Sequence, residues 1–161
     1  MAPADARTRE YEDKAAFLLN FAKYTTWPVR AYPDKNSPFV VAVVGKDPFG
    51  KILDKALAGK KARSRPIQIK RYASVRQVGS PHMLFVGALD SKSKKELLKK
   101  MASTSTLVIA DGPGDAGKGT TIGFYLDRGK VRFEISERAA KAAGLSMSSQ
   151  LLKLAKLVDK K

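Results

Sequence analysis

A chain of 161 residues with 43% hydrophobic and 8% aromatic side chains can bury one proper core, is too short for two ordinary domains, and is too apolar for global disorder. Thirty-one Lys and Arg against fifteen Asp and Glu give a formal net charge of +16, which fixes the sign of the surface field and not the identity of a partner. The absence of cysteine and the presence of one histidine exclude disulfides, thiolate chemistry and any triad or metal site needing a second such residue.

No apolar run approaches the roughly 20 residues of a membrane span, and Met1–Asp5 has no apolar signal core. The chain is therefore expected to be soluble, and a mature form trimmed of an export leader would look the same. Residues 1–9 read as a flexible N-terminus, 10–158 as one domain and 159–161 as a tail.

From Glu10 to Thr25, Tyr11, Ala15, Leu18 and Ala22 form one helical stripe with Phe17, Phe21 and Tyr24 beside it, which predicts a helix with a broad apolar face. Phe39–Val44 is a β-branched run stopped by Gly45 and predicts a strand covered on both faces. Asp47 is expected to cap the next helix, with Pro48 in its first turn and Gly59 as its stop. Ile67–Tyr72 alternates as an exposed or edge strand, and His82–Val86 reads as a second buried strand. Ser93 and Glu96 match a capping box that opens a helix through Met101, and Thr106–Ala110 is a third buried strand. Thr120–Leu126 and Lys130–Ser136 alternate around Asp127-Arg128-Gly129, a hairpin signal. Ser136–Ala143 and Ser148–Val158 read as closing helices. This order predicts a single-domain α/β sandwich: a mixed sheet of about six strands, parallel at its centre and antiparallel at the C-terminal hairpin, flanked by helices.

The sharpest motif is Gly112-Pro113-Gly114-Asp115-Ala116-Gly117-Lys118-Gly119-Thr120, which satisfies the phosphate-loop pattern after a buried strand. A phosphate loop feeds its amides into a helix N-terminus, whereas Thr121–Tyr125 alternates as a strand. A glycine turn entering a hairpin is the expected reading, with nucleotide binding by Gly117, Lys118 and Thr120 as the alternative. Asp111 and Glu134, at ends of predicted strands, form a weak candidate acid pair. His82 is expected to be a strand-edge side chain. Lys outnumbers Arg by 21 to 10 and no nucleic-acid-binding signature is present, so the basic surface points away from nucleic acid. Trp27, with Phe21 and Tyr24 before it, is either a cover for the end of the sheet or a binding anchor.

Three ordered blocks carry a resemblance: Phe21-Ala22-Lys23-Tyr24 with Trp27-Pro28, Gly45-Lys46-Asp47-Pro48-Phe49-Gly50, and Leu145 through Ala155 with its Ser146-Met147-Ser148-Ser149-Gln150-Leu151-Leu152 core. Together they resemble the YfiR/HmsC-like family of bacterial periplasmic proteins, from about Tyr11 to Val158. The resemblance implies export to the periplasm and a non-enzymatic regulatory role, in which a membrane diguanylate cyclase is bound and repressed, lowering cyclic-di-GMP and biofilm output. The chain departs from the family in lacking cysteine and in carrying Ser136 where an Asn is usual. The expectation is a periplasmic module without cofactor or metal, binding the periplasmic part of an inner-membrane signalling protein through Phe21, Tyr24 and Trp27. Anionic cell-envelope components and a second copy of the chain stay open as further partners, and the alternatives are a phosphate-loop enzyme or a basic module for anions or nucleic acid.

Overall fold

The computed structural model describes residues 2–112 and 116–159, with side chains from Ala6 onward. The middle of the glycine-rich run, residues 113–115, and residues 160–161 of the expected tail lie outside the described residues. In chain order the elements are α1 (Ala2–Tyr24), β1 (Thr25–Thr26), β2 (Phe39–Val44), α2 (Lys51–Leu57), β3 (Lys61–Ala62), β4 (Arg65–Tyr72), β5 (Met83–Val86), α3 (Ser91–Met101), β6 (Leu107–Ala110), β7 (Ile122–Asp127), β8 (Lys130–Ile135), α4 (Glu137–Ala142), β9 (Ser146–Met147), α5 (Ser149–Leu152) and β10 (Lys156–Leu157). Helix α1 starts upstream of the predicted Glu10, and single 3₁₀ turns lie at Val29–Ala31 and Val75–Gln77.

Eight strands form one sheet in the order β10-β8-β7-β6-β5-β2-β4-β3, against the six expected. The extra strands are the two-residue β3 and β10, too short to show an alternation in sequence. The centre β4-β2-β5-β6-β7 is parallel throughout. β8 returns antiparallel to β7 through Arg128 and Gly129, whose φ values of 53° and 81° belong to the turn that matches strand twist in a two-residue hairpin. The mixed α/β sandwich is therefore present, with helices on both sheet faces.

The strand period of two divides the core into halves. Val41, Val43, Met83, Phe85, Leu107, Ile109, Phe124 and Phe133 point to the side of α1 and α2, where Leu18, Phe21 and Leu53 meet them. Ala42, Val44, Leu84, Val86 and Val108 point to the other side, against Leu97 and Met101 of α3 and Val75 and Val78. The predicted β-branched runs are continuous because both faces of these central strands are covered.

Three local readings change. Asp47 does not cap α2: its Oδ1 accepts the Phe49 N–H at 2.8 Å, closing a turn, and the helix begins only after Gly50 at φ 54°. Arg71 of β4 ties this loop down, donating from Nε to Asp47 at 2.7 Å and from Nη2 to the Gly50 carbonyl at 2.9 Å and Asp54 at 3.1 Å. At α3 the cap is Asp90, whose carboxylate accepts the Ser93 N–H at 2.7 Å, so Ser93 is a first-turn residue and the Ser93–Glu96 box is absent. The predicted final helix over 148–158 shrinks to α5. Ser148 does cap it, accepting the Gln150 N–H at 3.1 Å, but the chain then leaves the helix so that Lys156 and Leu157 pair with Glu134 and Ile135 on the edge of β8.

Ser136 closes the hairpin and opens α4. Fully buried, its hydroxyl accepts the Ala139 N–H at 3.0 Å as the cap of α4, a role that Asn and Ser share. Asp159, expected in the tail, accepts both the Ser136 hydroxyl at 2.8 Å and the Arg138 N–H at 2.7 Å. Burial alone would raise its carboxyl, but these donors hold it below the ordinary carboxylate value.

Candidate functional site

The strand order β4-β2-β5-β6-β7 reverses direction between β2 and β5, the place where open α/β sheets usually bind ligands beyond the carboxyl ends of their strands. Here two backbone segments close that place. Lys46 donates its amide to the Ala88 carbonyl at 3.3 Å, and Gly87 donates to Val44 at 2.8 Å. A Cβ on Gly87 would lie 2.2 Å from the Lys46 carbonyl oxygen, and one on Gly45 2.7 Å from that of Ala88, so only glycine permits the crossing.

Beside this closure, at the end of β6, Asp111 is engaged rather than free. Its Oδ2 accepts the Tyr11 hydroxyl at 2.6 Å and its Oδ1 accepts the Lys14 ammonium at 2.7 Å. Lys14 is 3% exposed, also pairs with Glu10, and sits 4.5 Å from the centre of the Tyr11 ring and 5.7 Å from that of Phe124. Burial first, and then the hydrogen bond and charge of Asp111, push the Tyr11 phenol well above its ordinary value, so it remains a donor. The weak acid-pair reading of Asp111 and Glu134 loses its free carboxylate at Asp111. The signal overlooked in sequence is Lys14, placed three residues after Tyr11 and four before Leu18 within the apolar stripe.

The alternative nucleotide residues occupy a turn. Gly117 donates to the Thr120 carbonyl at 2.9 Å, Lys118 is exposed, Thr120 is buried, and the chain continues directly into β7. Gly119 lies against α3, where a Cβ would be 3.0 Å from Leu98. A strand thus stands where a phosphate loop needs a helix N-terminus to cradle phosphate with its amides. No cluster of three His, Asp or Glu able to hold a metal occurs among the described residues.

The first and third sequence blocks are brought together at the opposite side of the molecule. β1 pairs antiparallel with β9, Thr25 opposite Met147 and Thr26 opposite Ser146, and Ser148 donates its amide to the Tyr24 carbonyl at 2.9 Å. The three expected binding aromatics separate here. Phe21 is 0% exposed and packs edge-on to Phe133 at 5.0 Å between ring centres. Trp27 is 5% exposed, stands edge-on to Phe39 at 4.8 Å, and donates Nε1–H to the His82 carbonyl at 3.0 Å. Tyr24 alone stands out, 40% exposed, and Val29, just past Trp27 in the chain, is 89% exposed. The expectation of an aromatic surface formed by all three narrows to Tyr24, because Phe21 and Trp27 face the interior.

His82 is a hub of this region rather than a strand-edge side chain. Its Nδ1 accepts the Val40 N–H at 3.0 Å, so Nε2 carries the proton and donates to the Ala31 carbonyl at 2.8 Å. Burial lowers the imidazole from its ordinary value, the Ala31 carbonyl opposes this, and the Arg65 charge adds to the lowering. Protonation would set an Nδ1–H against the Val40 N–H. Since the folded value lies below the unfolded one, the stabilisation is complete above about pH 6.5 and is lost as pH falls through the folded value. Denaturant titrations should show stability falling as pH drops from neutral toward about 5.5, because the unfolded state binds more protons than the folded one. A His82→Gln variant with the same pH slope as the parent would remove this assignment.

A family model described as YfiR/HmsC-like matches residues 11–156. The chain belongs to the YfiR/HmsC-like family. No curated protein matches the chain. No described helix is long and apolar enough to cross a membrane.

Proposed function

We infer that the protein is a periplasmic, non-enzymatic regulator that binds the periplasmic part of an inner-membrane signalling protein, a diguanylate cyclase, and represses it. The observation that carries this reading is the match to the YfiR/HmsC-like family across residues 11–156. Two further features support it. Tyr24 and Val29 offer exposed apolar contact on the seam that joins the N-terminal and C-terminal blocks, and an aromatic anchor of this kind carries much of an interface's energy. The charge of +16 favours an acidic partner face and an association rate that falls with salt. The engagement of Asp111 by Tyr11 and Lys14 and the strand after the glycine turn give no support to a catalytic role.

The test uses the periplasmic fragment of the candidate cyclase and the cyclase activity of membranes that contain it. The protein should bind the fragment at micromolar concentration or tighter and lower cyclic-di-GMP synthesis. Tyr24→Ala should fold normally and bind about tenfold more weakly. A folded parent protein that neither binds the fragment nor alters cyclase output overturns the proposal; an unchanged affinity for Tyr24→Ala moves the contact surface elsewhere.

A further inference from the structure

A cavity of about 440 Å³ opens beside the seam, walled by Trp27, Val29, Tyr32, Pro33, Arg63 and Arg65. The Tyr32 ring belongs to the wall, while its hydroxyl is buried behind it to less than 1 Å² without a hydrogen-bond partner; burial pushes this phenol above its ordinary value, against the charges of Arg65 and Arg63, so it stays neutral and leaves the charge of the cavity unaltered. Two features mark the cavity. The first is the turn of Arg63 and Ser64, which joins β3 to β4 at φ 53° and 69°, the same two-residue hairpin geometry that Arg128 and Gly129 adopt, and which sets Arg63 at the cavity beside Arg65.

The second feature is the donor arrangement. Arg65 is fixed in place by its Nη1, which donates to the Ser37 carbonyl at 2.7 Å and the Asp34 carbonyl at 2.9 Å, and its guanidinium lies 3.7 Å over the Tyr32 ring. Tyr32 in turn stacks on His82 at 4.5 Å. The guanidinium is thus pre-oriented by contacts that use only part of its fork. Arg63 makes one long bond, Nη1 to the Lys23 carbonyl at 3.4 Å, and is exposed. Asp34 and Lys35 also line the rim; their charges offset one another, and the Asp34 carboxylate already accepts the Asn36 N–H at 2.8 Å. The cavity therefore keeps a net positive charge.

We propose that this cavity binds a small organic carboxylate, its charged group held by Arg63 and Arg65 and its apolar body against Val29, Pro33 and Trp27. Planar guanidinium forks match a carboxylate better than a point cation would, and the apolar wall distinguishes an organic acid from a bare inorganic anion. The cavity volume falls within the range of small-molecule sites. This assignment does not depend on the partner proposed above.

Trp27 is the only tryptophan in the chain and lines the cavity, so its fluorescence reports occupancy directly. N-acetyl-leucine is titrated into the intact protein in parallel with N-acetyl-leucinamide, which has the same body without the charge, and with inorganic phosphate. The acid should bind with a Kd below about 10 mM, and the amide and phosphate at least about tenfold more weakly. Arg63→Gln, a change at an exposed side chain, should weaken the acid by about tenfold or more. Tyr32→Phe should melt at a higher temperature than the parent without ligand, because an orphaned hydroxyl is removed, and bind the acid as tightly as the parent, because the ring beneath Arg65 is kept. No response to the acid, equal binding of acid and amide, preference for phosphate, or an unchanged affinity in Arg63→Gln each overturns the proposal.

Discussion

Trp27→Ala is expected to lower the folding free energy by about 3–5 kcal/mol, while Tyr24→Ala lowers it by less than about 1 kcal/mol. The two aromatics lie three residues apart at the end of α1, yet one is 5% and the other 40% exposed. Removing the indole opens a cavity against Phe39 and His82 and takes away one of the two donors to the His82 carbonyl, which keeps the Leu107 N–H at 2.9 Å. For a protein of this size such a loss is a large fraction of total stability. Urea unfolding followed by circular dichroism measures both variants without relying on the deleted fluorophore. Trp27→Phe serves as the intermediate case, keeping an aromatic ring and losing the hydrogen bond, and should fall between them. A Trp27→Ala protein within about 1 kcal/mol of the parent is incompatible with the packing described.

Lys14→Met is expected to cost about 2–4 kcal/mol, more than Asp111→Asn. The methionine fills the same channel beside Tyr11 and Phe124, but Glu10 and Asp111 are then left as two carboxylates with no cation between them. Asp111→Asn still leaves Lys14 its bond to Glu10. The side chains of Glu10 and Asp111 are 21% and 22% exposed, so water softens the penalty below that of a fully interior pair. The double variant should be more stable than the sum of the single losses predicts, because each substitution removes the reason the other is harmful. Strict additivity in guanidinium-free denaturation, for example with urea at low salt, would show that the three groups are neighbours without being coupled.

The parts of the fold legible in sequence are those written in local repetition. β2, β5 and β6 announce themselves as β-branched and apolar runs, and the stripe through Tyr11, Ala15 and Leu18 gives α1 its face. What sequence left ambiguous depends on partners far along the chain. Leu151, Leu152, Leu154, Ala155, Leu157 and Val158 keep a helical spacing, and nothing local shows that the edge of β8 will draw Lys156 and Leu157 into a sheet. Asp47 has the right neighbours for a helix cap, and only Arg71, from a strand beyond the helix, reveals its use in the loop. The candidate site follows the same division. Clustering of Phe21, Tyr24 and Trp27 was plain, but which of them faces water is decided by Phe133, Phe39 and His82. The positions of Arg63 and Arg65 beside Tyr32 depend on a turn whose residues give no ordinary turn signal.

The two outer strands of the large sheet are guarded lightly. β3 pairs only with Arg65 and Pro66 of β4, and β10 only with Glu134 and Ile135 of β8, so much of each outer strand has no further strand neighbour among the described residues. Lys70 lies on the uncovered part of β4 and Lys130 on that of β8, while Arg71 and Arg132 beside them are paired with Asp47 and Asp54 and with Asp127. Two copies approaching edge to edge would therefore bring like charges together before any backbone pairing could form. Protection against fibrillar stacking thus rests on electrostatic repulsion more than on physical cover. Concentrated salt shortens the reach of that repulsion to a few ångströms, while the hydrogen-bonding groups along the strands stay on offer, so the colloidal behaviour of this protein is tied to ionic strength through its sheet margins.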